Sequence, residues 1–273
     1  MWYVIHTMSG LEQKCKQQCQ QYIDQTAYRE MFIPMYKTKK HFKQEWHEVA
    51  KPLFPGYLFV DTDDIDTVIT GLKKIRQYTK VLKDGDTVLV LGDTSWAMNL
   101  NEAKADLDII ESLPGKKIFI KGNHDYWWSS LSKINAAYQS EDMNFIQNGY
   151  FTYGDYAICG SRGWLCPNEV KFDSNDMKIY KREVLRLEMS IQSAIQNGYT
   201  DLIVITHYPP TNDQLEESEF TKLYEKYNVK KVIYGHLHGK DSFSMGLKGV
   251  RNGIEYVLAS SDYLDFKLIK VLD

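Results

Sequence analysis

Four short apolar runs, each closely followed by a polar motif, constrain this chain more than any other feature of its sequence. The runs and the motifs are Val88–Leu91 before Gly92-Asp93, Ile118–Ile120 before Gly122-Asn123-His124-Asp125, Leu202–Ile205 before His207, and Val232–Tyr234 before Gly235-His236-Leu237-His238. Such runs, separated by helical patterns, are typical of buried strands in an α/β core. Because open α/β sheets bind ligands beyond the carboxyl ends of their strands, the polar residues are predicted to meet at one edge.

The residue types in these motifs point to a metal site. Carboxylate, amide and imidazole groups together suit Zn, Mn or Fe, and they are supplied here by Asp93, Asn123, His207, His236 and His238. His236 and His238 alternate, so on a continued strand both would point the same way. An isolated pair of this kind is more often structural or solvated, but the other three residues favour the metal interpretation.

The motifs Gly-Asp, Gly-Asn-His-Asp, His and Gly-His-Leu-His, in this order, resemble the calcineurin-like metallophosphoesterases from about residue 87 to residue 273. The resemblance implies a four-layer α/β/β/α domain in which Asp93 bridges two metals. It also implies that Asn123, His207 and His236 complete the ligands of one metal, and that His238 belongs to the other. By the same resemblance, His124 would protonate the leaving oxygen.

One motif of that family is missing, because no Asp-x-His occurs anywhere in the sequence. The domain is therefore predicted to be truncated at its amino-terminal edge. One site for Mn²⁺, Fe²⁺ or Zn²⁺ would be complete, whereas the second would keep only Asp93 and His238. Since hydrolytic metals usually have three or more protein ligands, we expect a mononuclear site and a weakened or absent phosphoesterase activity.

Four further residues near the motifs have alternative interpretations. Arg162 could bind a substrate phosphate through its bidentate fork, or it could form a salt bridge. Asp125 is expected to orient His124 or to support its loop rather than to bind metal. Trp127 and Trp128 are expected to pack in the core.

The first 84 residues predict a separate α+β domain, with the order strand, helix, strand, strand, helix. Trp2-Tyr3-Val4, Phe32-Ile33-Pro34 and above all Lys51–Val60 resemble the amino-terminal domain of NusG-type transcription factors. The resemblance implies docking onto RNA polymerase through an apolar, aromatic surface. The KOW barrel that usually follows this domain is not recognisable here.

The chain is thus predicted to comprise a NusG N-terminal-like domain, 1–84, and a truncated metallophosphoesterase domain, 85–273. Three functions remain open: a metal-dependent phosphoesterase, a transcription elongation or antitermination module that binds RNA polymerase, and a non-functional chimera of two shortened parents. Helical periodicity and a final apolar run predict helices near Leu11–Asp24, Ile65–Leu72, Leu100–Leu113, Ser130–Tyr138, Tyr180–Asn197 and Phe220–Tyr227, and a last strand at Phe266–Val271.

The composition limits the class of protein without specifying a function. The 273 residues carry a formal net charge of −3, which gives no general nucleic-acid footprint. No window has the apolar length of a membrane span, and the start lacks the features of a signal peptide. A cytoplasmic protein with reduced thiols is the resulting expectation. Cys15 and Cys19 would share one helix face, where packing is favoured over metal or redox chemistry.

Overall fold

The computed structural model describes residues 1–7, 10–42, 45–54, 56–75, 78–82, 85–169, 172–265 and 268–272. They form two compact units. The first comprises Met1–Asp86, Ser112–Gly115 and Leu264–Asp273, and the second comprises Thr87–Glu111 and Lys116–Tyr263. Among the described residues, no helix has both the length and the apolar character needed to cross a bilayer.

The first unit is a small antiparallel α+β structure. Its elements are β1 (Trp2–Thr7), α1 (Glu12–Tyr22), a 3-10 turn (Gln25–Ala27), β2 (Glu30–Phe32), β3 (Met35–Phe42), β4 (Glu45–Pro52), β5 (Tyr57–Asp61), α2 (Ile65–Leu72) and β6 (Tyr78–Leu82). Strands β2, β5, β1 and β6 form one sheet in that order, and β3 pairs with β4 as a hairpin. Cys15 and Cys19 are fully buried in the core of this unit, so the packing interpretation of these thiols is confirmed.

The second unit is an α/β structure with two mainly parallel sheets. Its elements are β7 (Thr87–Val90), α3 (Leu100–Glu111), β8 (Lys116–Phe119), α4 (Leu131–Ala137), β9 (Met143–Phe145), β10 (Tyr150–Tyr153), β11 (Tyr156–Ser161), α5 (Ser174–Gln196), β12 (Asp201–Thr206), α6 (Glu219–Lys226), β13 (Lys231–Tyr234), α7 (Lys240–Phe243), β14 (Gly249–Arg251) and β15 (Ile254–Leu258).

The two sheets of this unit bring the predicted motif strands together. One sheet has the order β7-β8-β9 and is parallel throughout. The other has the order β10-β11-β12-β13-β15-β14, in which β11, β12, β13 and β15 are parallel and the two outer strands are antiparallel. All four strands that precede a motif therefore belong to parallel arrays, as the apolar runs predict.

Two predicted elements differ from the structure. Helix α5 begins at Ser174, earlier than the predicted Tyr180, because Asp173 caps it: its side chain accepts the N–H groups of Asn175 and Asp176. The last strand is wrong for residues 268–271, which form no strand, while Phe266 and Lys267 lie outside the described residues. Residue 84, the predicted end of the first domain, also lies outside them.

Candidate metal centre

Strand register places the motifs side by side. Val90 pairs with Phe119 in one sheet, so the Gly92-Asp93 and Gly122-Asn123 turns leave neighbouring strands at the same level. Thr206 pairs with Tyr234 in the other sheet, which aligns His207 with the Gly235-His236 turn. The N–H of Gly235 donates to the carbonyl of His207 at 3.1 Å and extends that register into the loops.

The turns at this edge need an unusual backbone. Gly92 has a φ of 89°, and a Cβ there would lie 2.5 Å from the Cα of Gly122, so the two turns touch only because both residues are glycine. Asp93 and His236 follow their glycines with φ of 56° and 70°, in the left-handed region that non-glycine residues seldom adopt. Such strain is typical of functional sites.

Four predicted side chains meet beyond these turns. The Oδ1 of Asn123 lies 2.6 Å from Nε2 of His207 and 3.0 Å from Nδ1 of His236. The two ring nitrogens are 3.1 Å apart, and Oδ2 of Asp93 is 3.6 Å from Nε2 of His207. Ligand atoms bound to one ion at about 2.0–2.2 Å are themselves about 3 Å apart, so these separations suit one divalent ion.

The hydrogen-bond pattern of His207 supports the same conclusion. Its Nδ1 lies 2.7 Å from the carbonyl oxygen of Leu91, which can only accept, so Nδ1 carries the proton. Burial lowers the pKa of His207, with Asp93 opposing the shift, and the neutral ring then directs the lone pair of Nε2 toward Asn123. Burial, followed by the proximity of His207, lowers the pKa of His236 to about 4. Oδ1 of Asn123 and Nε2 of His207 are then two acceptors 2.6 Å apart, an arrangement that a cation would stabilise.

The side chain of Asn123 is essential to that fit. Within the described residues, His, Cys, Asp and Glu side chains by themselves form no metal-binding group of three or more. The cluster depends on the amide oxygen of Asn123 in addition to Asp93, His207 and His236. Nδ1 of His236 and Nε2 of His207 lie within 3.0 Å of that oxygen, and Oδ2 of Asp93 lies 3.6 Å from Nε2 of His207. The amide oxygen of Asn123 completes the ligand set, because a carbonyl oxygen is an ordinary ligand for ions such as Mn²⁺.

Asp125 holds the loop after β7 against its own loop, which follows β8. Its fully buried carboxylate accepts the N–H groups of Gly122, Asp93, Thr94 and Ser95 and the indole N–H of Trp127, at 2.7–3.3 Å. Of the roles expected for Asp125, the structure therefore shows support of the loop. The indoles of Trp127 and Trp128 are 1% and 4% exposed, which confirms that both pack in the core.

His124 lies next to the cluster without joining it. Its backbone N–H donates to Oδ1 of Asp93 at 2.8 Å. Its ring stacks on Trp96 with centroids 4.2 Å apart, and its Nδ1 is buried without a hydrogen-bond partner in the described part of the chain. The ring is thus positioned by aromatic contact, and its role in proton transfer stays a prediction.

His238 pairs with a residue that the sequence did not suggest. Its Nδ1 lies 2.9 Å from Oδ1 of Asp262, and its side chain is 59% exposed. Asp262 also accepts the N–H of Gly239 at 2.8 Å. The signal was available, because Asp262 follows β15, a parallel neighbour of the strand that precedes His238.

Arg162 adopts an ion-pair arrangement. Its side chain is 15% exposed, stacks on Trp164 at 4.3 Å and lies 3.5 Å from the buried carboxylate of Glu183, while its carbonyl accepts the N–H groups of His207 and Tyr208. Burial lowers the pKa of Arg162, and Glu183 opposes that shift. A contact between Arg162 and substrate therefore stays a prediction.

Comparison with known proteins defines the class. Residues 58–240 match the family model of the calcineurin-like phosphoesterases, and the chain belongs to that family. Enzymes of this family are generally dinuclear metal enzymes. Residues 1–100 match the model of transcription termination factor nusG, so both predicted resemblances are confirmed, and the two matches overlap over 58–100.

A similar protein carries a more specific name. The probable cyclic nucleotide phosphodiesterase of Vesicomyosocius okutanii subsp. Calyptogena okutanii (strain HA) is 24% identical over 192 residues. The alignment covers 66% of this chain and 72% of that protein.

Proposed function

We propose that the chain is a metal-dependent phosphoester hydrolase whose reaction takes place at the Asp93 cluster. The observation that carries the proposal is the convergence of Asp93, Asn123, His207 and His236, whose ligand atoms lie 2.6–3.6 Å apart. These four residues would hold one divalent ion. When bound, such an ion supplies Lewis acidity to a phosphoryl oxygen and lowers the pKa of water.

The residues around the cluster would each have a distinct task. The Leu91 carbonyl fixes the proton of His207 on Nδ1, so that Nε2 keeps its lone pair for the ion. Asp125 holds the loop that carries Asp93. His124, the neighbour of Asn123, would give a proton to the leaving oxygen.

We further infer that the second metal seat is incomplete and that turnover is weak. The sequence has no Asp-x-His, and His238 faces Asp262. Strand β7 is an outer strand of its sheet in the part of the chain that the structure describes, where an additional amino-terminal strand would pair. We therefore propose a four-layer phosphoesterase domain that has lost its first strand.

Metal titration with a chromogenic phosphodiester tests this function. We expect one Mn²⁺ per chain by calorimetry and slow, Mn²⁺-dependent hydrolysis of bis-p-nitrophenyl phosphate. Asp93→Asn should reduce the Mn²⁺ affinity and the hydrolysis rate by at least tenfold each, since it removes the charge from the ligand set. Substitution of the exposed Asp155 by Asn should change neither quantity. Absence of Mn²⁺ binding would refute the proposed metal-dependent hydrolase. Two Mn²⁺ per chain with rapid turnover would refute the proposal that the second metal seat is incomplete and the activity weak.

The match of residues 1–100 to the nusG model favours a second candidate function. We propose that the amino-terminal unit binds RNA polymerase and contributes to elongation or antitermination. The half-buried rings of Phe32 and Phe54 lie 5.6 and 6.1 Å from the ring of Phe59, and Trp2 packs edge-on against Phe32 at 5.5 Å. Phe59 alternates along β5 with Leu58 and Val60, which belong to the core beneath the helices, so these rings lie on the other face of the sheet. That face has the apolar, aromatic character such docking requires.

Biolayer interferometry of the full chain against purified RNA polymerase tests the second candidate. Trp2→Ala should weaken binding about tenfold, because aromatic residues dominate interface energies, and Asp93→Asn should leave binding unchanged. Failure to bind at micromolar concentrations would contradict it. If both candidates fail, the chain is best explained as a chimera of two shortened domains, whose family matches overlap over 58–100.

A further inference from the structure

Two large aromatic side chains are exposed directly beside the proposed metal centre. Trp96 is 71% exposed and Tyr126 is 53% exposed. Both contact His124: the Trp96 ring is stacked on it at 4.2 Å with an angle of 23°, and the Tyr126 ring approaches edge-on at 6.2 Å. We call Trp96 and Tyr126 the aromatic platform.

Core packing does not explain the platform. A tryptophan normally buries most of its large apolar surface, whereas Trp96 contacts the imidazole of His124 and leaves most of its indole accessible. Its neighbours are held firmly, because Asp125 accepts the N–H groups of Thr94 and Ser95 at 2.7 and 3.3 Å. An exposed ring on a fixed loop is suited to binding a ligand.

The position of the platform indicates which part of a ligand it would take. Trp96 follows the proposed ligand Asp93 by three residues, a span of about 10 Å at most. A phosphate bound at the cluster would therefore bring the group attached to it to the indole. Indole and phenol rings stack with planar π-systems, and each of the nucleobases has such a planar face.

We propose that the aromatic platform binds the base of a nucleotide, so that the substrates of the proposed hydrolase are nucleotide phosphoesters. This inference rests on the proposed function and deepens it. Trp96 would supply the main stacking surface, and Tyr126 would border it. The cluster would hold the phosphate in the same way for any phosphoester, whereas the platform would distinguish those that carry a base.

Paired ligands that differ only in the base test the inference at equilibrium. We would measure binding of AMP and of ribose 5-phosphate to the Mn²⁺-loaded full chain by calorimetry. We expect AMP to bind about tenfold more tightly, within the range that one base–aromatic stack contributes. In the Trp96→Ala variant, the affinity for AMP should fall to the affinity for ribose 5-phosphate. The Trp96→Phe variant should keep most of the preference for AMP.

Controls separate loss of stacking from loss of structure. Leu185→Ala removes another exposed apolar side chain, 57% accessible on α5, and should keep the tenfold preference. Trp96→Ala should retain the circular dichroism spectrum and the Mn²⁺ stoichiometry of the unmodified chain. Equal affinity for the two ligands, or a preference that survives in Trp96→Ala, would overturn this inference and leave the hydrolase proposal intact. If the chain bound neither AMP, ribose 5-phosphate nor Mn²⁺, this inference and the hydrolase proposal would both be overturned.

Discussion

Asp125 shows how a single residue determines the geometry of the proposed site. Its carboxylate accepts five N–H groups and ties the loop after β7 to the loop after β8. No other side chain described here joins the two loops with so many hydrogen bonds. The residue has no proposed contact with metal or substrate, yet the position of Asp93 depends on it.

We expect Asp125→Asn to destabilise the second unit by about 3 kcal/mol, because an amide N–H₂ would face backbone donors that are buried. Urea denaturation monitored by tryptophan fluorescence measures the change. Asp173→Asn is a matched control: one oxygen of Asp173 accepts both cap hydrogen bonds, and asparagine is an equally good cap, so less than about 0.5 kcal/mol is expected. Similar effects of the two substitutions would show that Asp125 is not an organising residue.

At the scale of the elements, local pattern was sufficient for most of the second unit. The apolar runs before Gly122, His207 and Gly235 lie in buried strands, because burial on both faces requires continuous apolar sequence. The run before Gly92 also lies in a strand, but that strand is only half-buried. Asp93, Asn123, His207 and His236 then follow from the rule on strand ends. Asp262 also lies beyond the end of a parallel strand, but its pairing with His238 depends on β15 lying beside β13, which no local pattern encodes. Trp96 could not be predicted, because its role depends on a stacking geometry that no spacing encodes.

The contact between the turns after β7 and β8 gives a prediction at this scale. Gly92→Ala should destabilise the chain by about 2 kcal/mol more than Gly198→Ala, because only the former adds a steric clash. The two glycines have nearly the same φ, 89° and 88°, but a Cβ at Gly198 would meet no atom within 4 Å. Gly198→Ala should cost only the left-handed strain of about 1–2 kcal/mol.

Thermal unfolding measured for both variants by calorimetry decides the comparison. Equal losses of stability would mean that the turns at Gly92 and Gly122 adjust to the added methyl group. Loss of Mn²⁺ binding should accompany Gly92→Ala only, since Asp93 follows that residue directly.

At the scale of the whole molecule, the division into two units assigns all proposed metal ligands to one of them. A ligand that binds only the folded form stabilises what it binds, by about 2.7 kcal/mol at a concentration of 100 Kd. Hydrogen exchange can therefore report on each unit separately within the intact chain.

We expect Mn²⁺ to slow exchange in β7, β8, β12 and β13 by an amount that corresponds to that free energy, and to leave β1 and β5 unchanged. Mass spectrometry of peptides from the exchanged full chain resolves these strands, and Mg²⁺-free buffer with EDTA gives the reference. Equal protection of both units would contradict the assignment of the site to the second unit, as would a lack of protection in its strands.

The left-handed backbone of Asp93 and His236 has a consequence for protein engineering. Each conformation costs on the order of 1 kcal/mol that glycine would avoid. A library selected for thermostability alone should therefore be enriched in replacements at these two positions and should lose affinity for divalent ions in the same clones. Selection that keeps both residues would have to find its stabilising substitutions elsewhere in the chain.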